Sequence, residues 1–230
     1  ERCNNLCLFC SQPPKDIDDE ILLGMAATAL IDFNYDGEIG ITGGEPLLYG
    51  EQFISFLKTL NTNNCPSSLH ILSNGRALSD KSYTTRLVNQ CKTRQVALGI
   101  PLYSINSKTH DELVGHKGAW KETIAGIINA MYAGLAIELR FIPTKHNVSD
   151  LDFLIAYVAR ALPAVVQVSI MNMEPKGWAR NNWDELYISP SNYINKLQIA
   201  AKQAKFYGIN LKLFNYPLCH ISSDLYDYSV

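Results

Sequence analysis

The sequence predicts an α/β fold, a parallel sheet covered by helices, on three observations. Short apolar runs rich in β-branched residues recur along the chain. Amphipathic stretches of helical length separate them. The apolar runs are near-continuous rather than alternating, as strands buried on both faces require. Gly37–Thr42 reads as the first strand and runs into a Gly43-Gly44-Glu45-Pro46 turn. Glu51–Leu60 reads as a helix with Phe53, Phe56, Leu57 and Leu60 on one face. Ser68–Leu72 is the next strand, ending in Ser73-Asn74-Gly75, and Asp80–Gln90 the next helix. Val96–Ile100 is a strand with Tyr103 and Ser104 just past its end. A helix from Trp120 to Ala133 leads to strand Ala136–Ile142. Helix Val148–Ala161 leads to strand Val165–Met171. Helix Pro190–Tyr207 leads to strand Ile209–Phe214. Gly134 and Gly208 stand where helix C-caps are expected.

With 230 residues, 47% of them apolar, the chain can bury the core of one large domain, expected over residues 1–230. Charged residues make up 18% and the formal net charge is −2. No basic excess points to nucleic acid or an anionic membrane surface. No run of 18 apolar residues suggests a transmembrane helix, and no signal peptide is recognised. The chain opens at Glu1, within what reads as a loop, and is expected to be a piece of a longer, cytoplasmic protein.

Six cysteines are present, at positions 3, 7, 10, 65, 91 and 219. They are too sparse for a disulfide scaffold, and their clustering as Cys3-x3-Cys7-x2-Cys10 reads as metal ligation in a reducing compartment. Three thiolates at this spacing can hold three irons of a [4Fe–4S] cluster and leave the fourth without a protein ligand, whereas a ferredoxin uses four cysteines. The alternative is a zinc site short of a ligand, but zinc sets usually pair two CxxC or Cys/His groups, and no second CxxC exists here. Cys65 and Cys91 read as small buried thiols.

Gly43–Pro46, Ser73–Asn74, Ser104 and Met171–Asn172 all follow C-terminal strand ends, the edge where parallel α/β proteins carry their chemistry. Gly43 and Gly44 let a ligand approach the backbone. The Glu45 carboxylate can accept from an ammonium, or cap a helix N-terminus. Ser73-Asn74-Gly75 can also be a plain turn, Ser104 an N-cap or loop hydroxyl, and Arg140 a partner of Glu138 or another carboxylate.

Cys3-Asn-Asn-Leu-Cys7-Leu-Phe9-Cys10 resembles the CxxxCxΦC loop of the radical S-adenosylmethionine (radical SAM) enzymes, with Phe9 at the aromatic position. Thr42-Gly-Gly-Glu-Pro46 resembles their GGE motif, in the expected order and at the expected distance. The resemblance implies a partial (β/α)6 TIM-like barrel whose first strand, before the cysteine loop, is missing from this fragment. It implies two cofactors. Cys3, Cys7 and Cys10 would bind a [4Fe–4S] cluster, and the fourth iron would take the methionine amine and carboxylate of S-adenosylmethionine. One electron would cleave the sulfonium to a 5′-deoxyadenosyl radical, which abstracts hydrogen from substrate. Cofactor contacts are implied for Phe9, Gly43, Gly44, Glu45, Pro46, Ser73, Asn74, Ser104, Arg140 and Met171. A low-potential donor such as flavodoxin or ferredoxin is implied as partner.

A narrower resemblance rests on Glu1-Arg-Cys-Asn-Asn-x-Cys-x-x-Cys-Ser-Gln-Pro-Pro-Lys15, Glu174-Pro-Lys-Gly-Trp178 and Asn215-Tyr-Pro-Leu-Cys219. These look like the His-Xaa-Ser system radical SAM maturases (HxsC type), and imply a peptide or protein substrate with His-Xaa-Ser repeats. His110-Asp111-x3-Gly115 followed by Trp120 resembles peptide-maturing radical SAM enzymes more broadly. In such relatives a cysteine-rich extension follows, which makes Cys219 a candidate auxiliary-cluster ligand. The alternatives are a radical SAM enzyme acting on a small molecule, and a non-catalytic iron–sulfur carrier or zinc-binding module.

Overall fold

The computed structural model describes residues 2–15 and 21–230. Glu1, which opens the longest of the strings above, lies outside them. Six strands alternate with helices: α1 (Ile21–Phe33), β1 (Glu38–Ile41), α2 (Glu51–Thr62), β2 (Ser68–Leu72), α3 (Lys81–Cys91), β3 (Val96–Pro101), α4 (Ser107–Val114), α5 (Ala119–Tyr132), β4 (Ala136–Phe141), α6 (Leu151–Ala161), β5 (Val165–Met171), α7 (Trp178–Asn181), α8 (Trp183–Leu186), α9 (Ile194–Tyr207) and β6 (Asn210–Phe214). The α/β class holds. β2 and β5 coincide with the expected ranges; β3, β4 and β6 differ by a single residue at one end, and β1 by one at each end. The expected helices over 148–161 and 190–207 each begin as a short 3-10 turn before the α-helix proper. α1, α4, α7 and α8 were not expected from the sequence.

The chain divides into two compact units. The first holds the described residues of Glu1–Asn4, Pro14–Ile100 and Glu122–Ala136. Its strands run β1-β2-β3, all parallel, with Glu38 opposite Ser68 and Leu69 opposite Val96. α2 buries Phe53, Phe56, Leu57 and Leu60, an i, i+3, i+4, i+7 stripe. Each such side chain removed from water stabilises the fold by about 2 kcal/mol. Asp80 caps α3 by accepting from the Ser82 and Tyr83 amides.

α5 lies across the turn that follows β2. Thr123 Oγ1 donates to the Asn74 carbonyl at 3.0 Å, and Asn129 Nδ2 to the Leu78 carbonyl at 2.9 Å. Between them Gly126 meets the turn directly. A Cβ there would sit 2.0 Å from the Gly75 carbonyl oxygen.

The second unit holds Asn5–Pro13, Pro101–Lys121 and Ile137–Val230. Its strands run β4-β5-β6, again parallel. Ile137 faces Val165 and Glu138 faces Gln167, so Val166 is an extra residue in β5, a β-bulge. Beyond the bulge the faces are in phase. Leu139, Phe141, Val168, Ile170, Leu211 and Leu213 are buried. The alternate positions carry the polar residues in rows: Glu138, Gln167 and Asn210, then Arg140, Ser169 and Lys212. α6 packs on α9, whose buried side includes Ala200, Ala201 and Ala204. α4 is capped by Asn106, which accepts from the Lys108 and Thr109 amides, and stops at Gly115 in the left-handed region.

Gly126→Ala is expected to destabilise the protein by about 2 kcal/mol through overpacking against the Gly75 carbonyl. Urea denaturation checks this, with Ala130→Gly on the same helix as a comparison without a clash.

Candidate functional site

In the first unit the GGEP turn is built by glycines that tolerate positive φ, 98° at Gly43 and 44° at Gly44. Glu45 follows in extended conformation and caps the 3-10 turn Pro46–Tyr49, with Pro46 at its start. The Glu45 carboxylate is 2% exposed. Its Oε1 accepts from the Leu47 amide at 2.9 Å and the Ser73 hydroxyl at 2.7 Å, and its Oε2 from the Asn74 amide at 2.6 Å. The Glu45 amide itself donates to the Arg2 carbonyl. Burial pushes the carboxyl up, while these donors and the Arg76 charge pull it down. Three residues named from the sequence, Glu45, Ser73 and Asn74, thus meet in one network.

Arg76 extends that network and was not singled out in the sequence. It is buried, donates Nε to Glu122 at 2.6 Å and Nη1 to the Asn4 carbonyl at 2.5 Å. Asn74 Nδ2 reaches Asn4 Oδ1 at 2.6 Å, and Asn74 Oδ1 accepts from the Arg76 amide. Asn4 adjoins Cys3, so the network fixes the chain beside a cysteine of the motif. The forked guanidinium is what allows one side chain to hold two acceptors.

Cys7 and Cys10 belong to the second unit and Cys3 to the first. All three are partly exposed, and none of the six cysteines forms a disulfide. Burial pushes the Cys10 thiol up, against a backbone N–H from Gln12. Among the described residues no three His, Cys, Asp or Glu side chains are gathered as a metal site. Metal binding is coupled to folding of the segment that carries the ligands. Three soft, accessible cysteine donors suit iron–sulfur chemistry. Phe9, between Cys7 and Cys10, is buried with Leu113, Met173, Ala179 and Leu186, its ring edge-on to Tyr103 at 4.7 Å.

Ser104 is fully buried. Its hydroxyl donates to Asp150 and accepts from the Asn106 amide, and Asp150 also takes the Ile105 amide at 3.1 Å. Asp150 was missed from the sequence, where nothing distinguishes it from a helix-start acid. Arg140 and Met171 meet, with Nη2 donating to Sδ at 3.2 Å. A thioether is a weak acceptor. Among the described residues Arg140 forms no ion pair, and the alternative pairing with Glu138 is not made. Glu138 instead accepts from the Ser169 hydroxyl. Cys219 is exposed in a short 3-10 turn, while burial raises the Cys91 thiol to about 11.

Glu45→Ala strands three donors in the interior and is expected to cost about 3 kcal/mol, and Arg76→Lys about 2 kcal/mol, both read by urea denaturation. Iodoacetamide at pH 8 is expected to label Cys219 in the native protein and spare Cys65 and Cys91, whose thiols are buried away from the reagent, as read by peptide mass mapping.

No family model matches the sequence. A probable GTP 3′,8-cyclase of Sulfurisphaera tokodaii is 27% identical over 192 residues, covering 79% of this chain and 56% of that protein. An Fe-coproporphyrin III synthase of Methanosarcina barkeri is 27% identical over 159 residues, covering 65% of this chain and 37% of that protein. The chain thus spans about half the length, or less, of these two relatives. Among solved structures, native anSMEcpe with bound AdoMet and a Kp18Cys peptide aligns with TM-score 0.68 at 16% identity, over 91% of this chain and 60% of its own. The Escherichia coli coproporphyrinogen III oxidase HemN, described as a radical SAM enzyme, aligns with TM-score 0.64 at 17% identity, over 90% of this chain and 51% of its own. At these identities the structures speak for the α/β fold alone. The sequence relatives support a place for the chain in the radical SAM superfamily, and the solved structures agree with it in fold.

Proposed function

We propose that the protein is a radical SAM enzyme in which Cys3, Cys7 and Cys10 hold a [4Fe–4S] cluster that binds S-adenosylmethionine. The observation that carries this is the conjunction of the three-cysteine loop with the GGEP turn, whose Glu45 is locked in a network that also grips Asn4 beside Cys3. When bound, the pair of cofactors supplies one-electron reductive cleavage of the sulfonium and so a 5′-deoxyadenosyl radical for hydrogen abstraction. The chain's own residues do the rest. Gly43 and Gly44 leave backbone open to the methionine group. Glu45 offers its remaining acceptor capacity to the ammonium. Arg140, whose guanidinium meets only a thioether among the described residues, would offer it to the carboxylate. The backbone after Met171 would meet adenine. Ser73 and Asn74 shape the turn beside Glu45, and Ser104 braces the loop after β3 through Asp150.

For the substrate we infer a peptide or protein with His-Xaa-Ser repeats, on the strength of the Glu174–Trp178 and Asn215–Cys219 strings, with a low-potential flavodoxin or ferredoxin as electron donor. Cys219, exposed and outside any disulfide, is available as an auxiliary-cluster ligand. A second reading, a small-molecule substrate, is favoured by the GTP and coproporphyrin chemistry in the names of the sequence relatives. Among the described residues no helix is long and apolar enough to cross a membrane. We infer a cytoplasmic site of action from the unpaired-cysteine motif and its need for a reducing compartment.

The test uses full-length protein reconstituted anaerobically with iron and sulfide. A reduced [4Fe–4S] EPR signal that shifts with S-adenosylmethionine, with 5′-deoxyadenosine formed and both lost in Cys7→Ala, is the expected result. A cluster indifferent to S-adenosylmethionine, or zinc in its place, overturns the reading. Arg140→Ala is expected to weaken S-adenosylmethionine binding ten- to a hundredfold, the loss of about 1.5–3 kcal/mol of charge-assisted hydrogen bonding. Mass spectrometry of a His-Xaa-Ser repeat peptide, set against GTP and a porphyrin precursor, separates the two substrate readings.

A further inference from the structure

The Glu174-Pro-Lys-Gly-Trp178 string has no part in the chemistry above, yet within the second unit it touches the cysteine loop. Gly177 has φ 55° and ψ −132°, a conformation open to glycine. A Cβ on it would sit 2.3 Å from the Cys10 carbonyl oxygen and 2.6 Å from that of Ser11. The next amide, Trp178 N–H, donates to the Cys10 carbonyl at 2.8 Å. One helical turn on, Asn182 Nδ2 donates to the Leu8 carbonyl at 2.7 Å. α4 holds the other side of the loop, since the Leu6 and Leu8 amides donate to the Val114 and Leu113 carbonyls. The Cys10 amide closes a turn onto the Cys7 carbonyl at 3.0 Å. The amides and carbonyls of Leu8 and Cys10 are therefore all engaged, the two carbonyls by the segment after β5. Phe9 is meanwhile anchored in a core that includes Ala179 and Leu186 of that same segment.

We propose that Gly177, Trp178 and Asn182 form a positioning clamp that fixes the backbone from Cys7 to Ser11 and so the direction of the Cys7 and Cys10 sulfurs. The clamp rests on the reading of these cysteines as cluster ligands. A ligand on an otherwise mobile loop is held to productive geometry only by such outer contacts, and removing outer contacts from a metal ligand typically costs 10–100-fold in metal affinity. Glycine at 177 lets the two backbones approach. The Asn182 amide supplies a neutral donor to a carbonyl that α4 leaves unmatched.

The test compares Asn182→Ala, Asn182→Asp and Gly177→Ala with Lys176→Ala, a change in an exposed ion pair that does not touch the loop. Asn182→Asp keeps the shape and replaces the donor with an acceptor facing the Leu8 carbonyl. Each full-length protein is reconstituted anaerobically, and iron loss to a chelator and the cluster's EPR midpoint potential are recorded beside the melting temperature of the apo form. The expected result is iron loss at least tenfold faster and a shifted potential in both Asn182 variants and in Gly177→Ala, with apo melting of the Asn182 variants and all properties of Lys176→Ala unchanged. Wild-type rates and potential in Asn182→Asp overturn the clamp. So does a fall in apo melting with no change in iron loss, which marks Asn182 as ordinary packing. A wild-type protein that holds no cluster at all instead overturns the functional reading on which the clamp rests.

Discussion

The first unit depends on one buried carboxylate. Glu45 sits where β1 ends, and the three groups that donate to it come from its own turn and from the end of β2. An isolated carboxylate in such a place would be driven to its neutral form. Three donors and a nearby guanidinium make the site tenable, and in return the carboxylate ties two strand ends into one object. Arg76, Asn74 and Asn4 then carry that rigidity to the residue beside Cys3. The buried polar groups support one another, so the loss of any member leaves others unmatched.

The second unit solves a related problem with backbone. Around Cys7 and Cys10 the main chain is matched by α4 on one side and by the turn at Gly177 on the other. Both places use glycine for close approach. A Cβ at Gly115 would lie 2.7 Å from the Leu6 carbonyl, and one at Gly177 closer still to Cys10. Thiols can thus remain accessible while the Cys7 carbonyl and the Cys10 amide and carbonyl are all committed.

Much of this was legible in the sequence, and the boundary has physical causes. β2 and β5 are apolar runs closed by turn residues, and periodicity locates them to the residue. α1 is apolar on every side (Ile21 to Phe33) and gives no helical period to detect. α4 could have been found from Asn106 at its N-cap and Gly115 past its end, but its eight residues carry a weak apolar stripe. The cysteines and GGEP were visible as motifs because their chemistry demands fixed spacing. Arg76, Glu122 and Asp150 were not, because their partners lie 72, 46 and 46 residues away, at Asn4, Arg76 and Ser104. Long-range pairing leaves no local mark. The shape of Ser73–Gly75 as a turn was readable, whereas the commitment of Ser73 to Glu45 was not.

The extra residue in β5 marks where this strand can change length. Val165 already faces Ile137 and Gln167 already faces Glu138, so removing Val166 alone would close the ladder into regular pairing and leave every later side chain on its present face. Val166 itself is 55% exposed. Beyond Gln167 the same change has the opposite effect. One residue gained or lost there would turn Ser169 and Met171 to the face that Val168 and Ile170 now occupy. Evolution can therefore trim the strand at its bulge, whereas its far half is held to a fixed count.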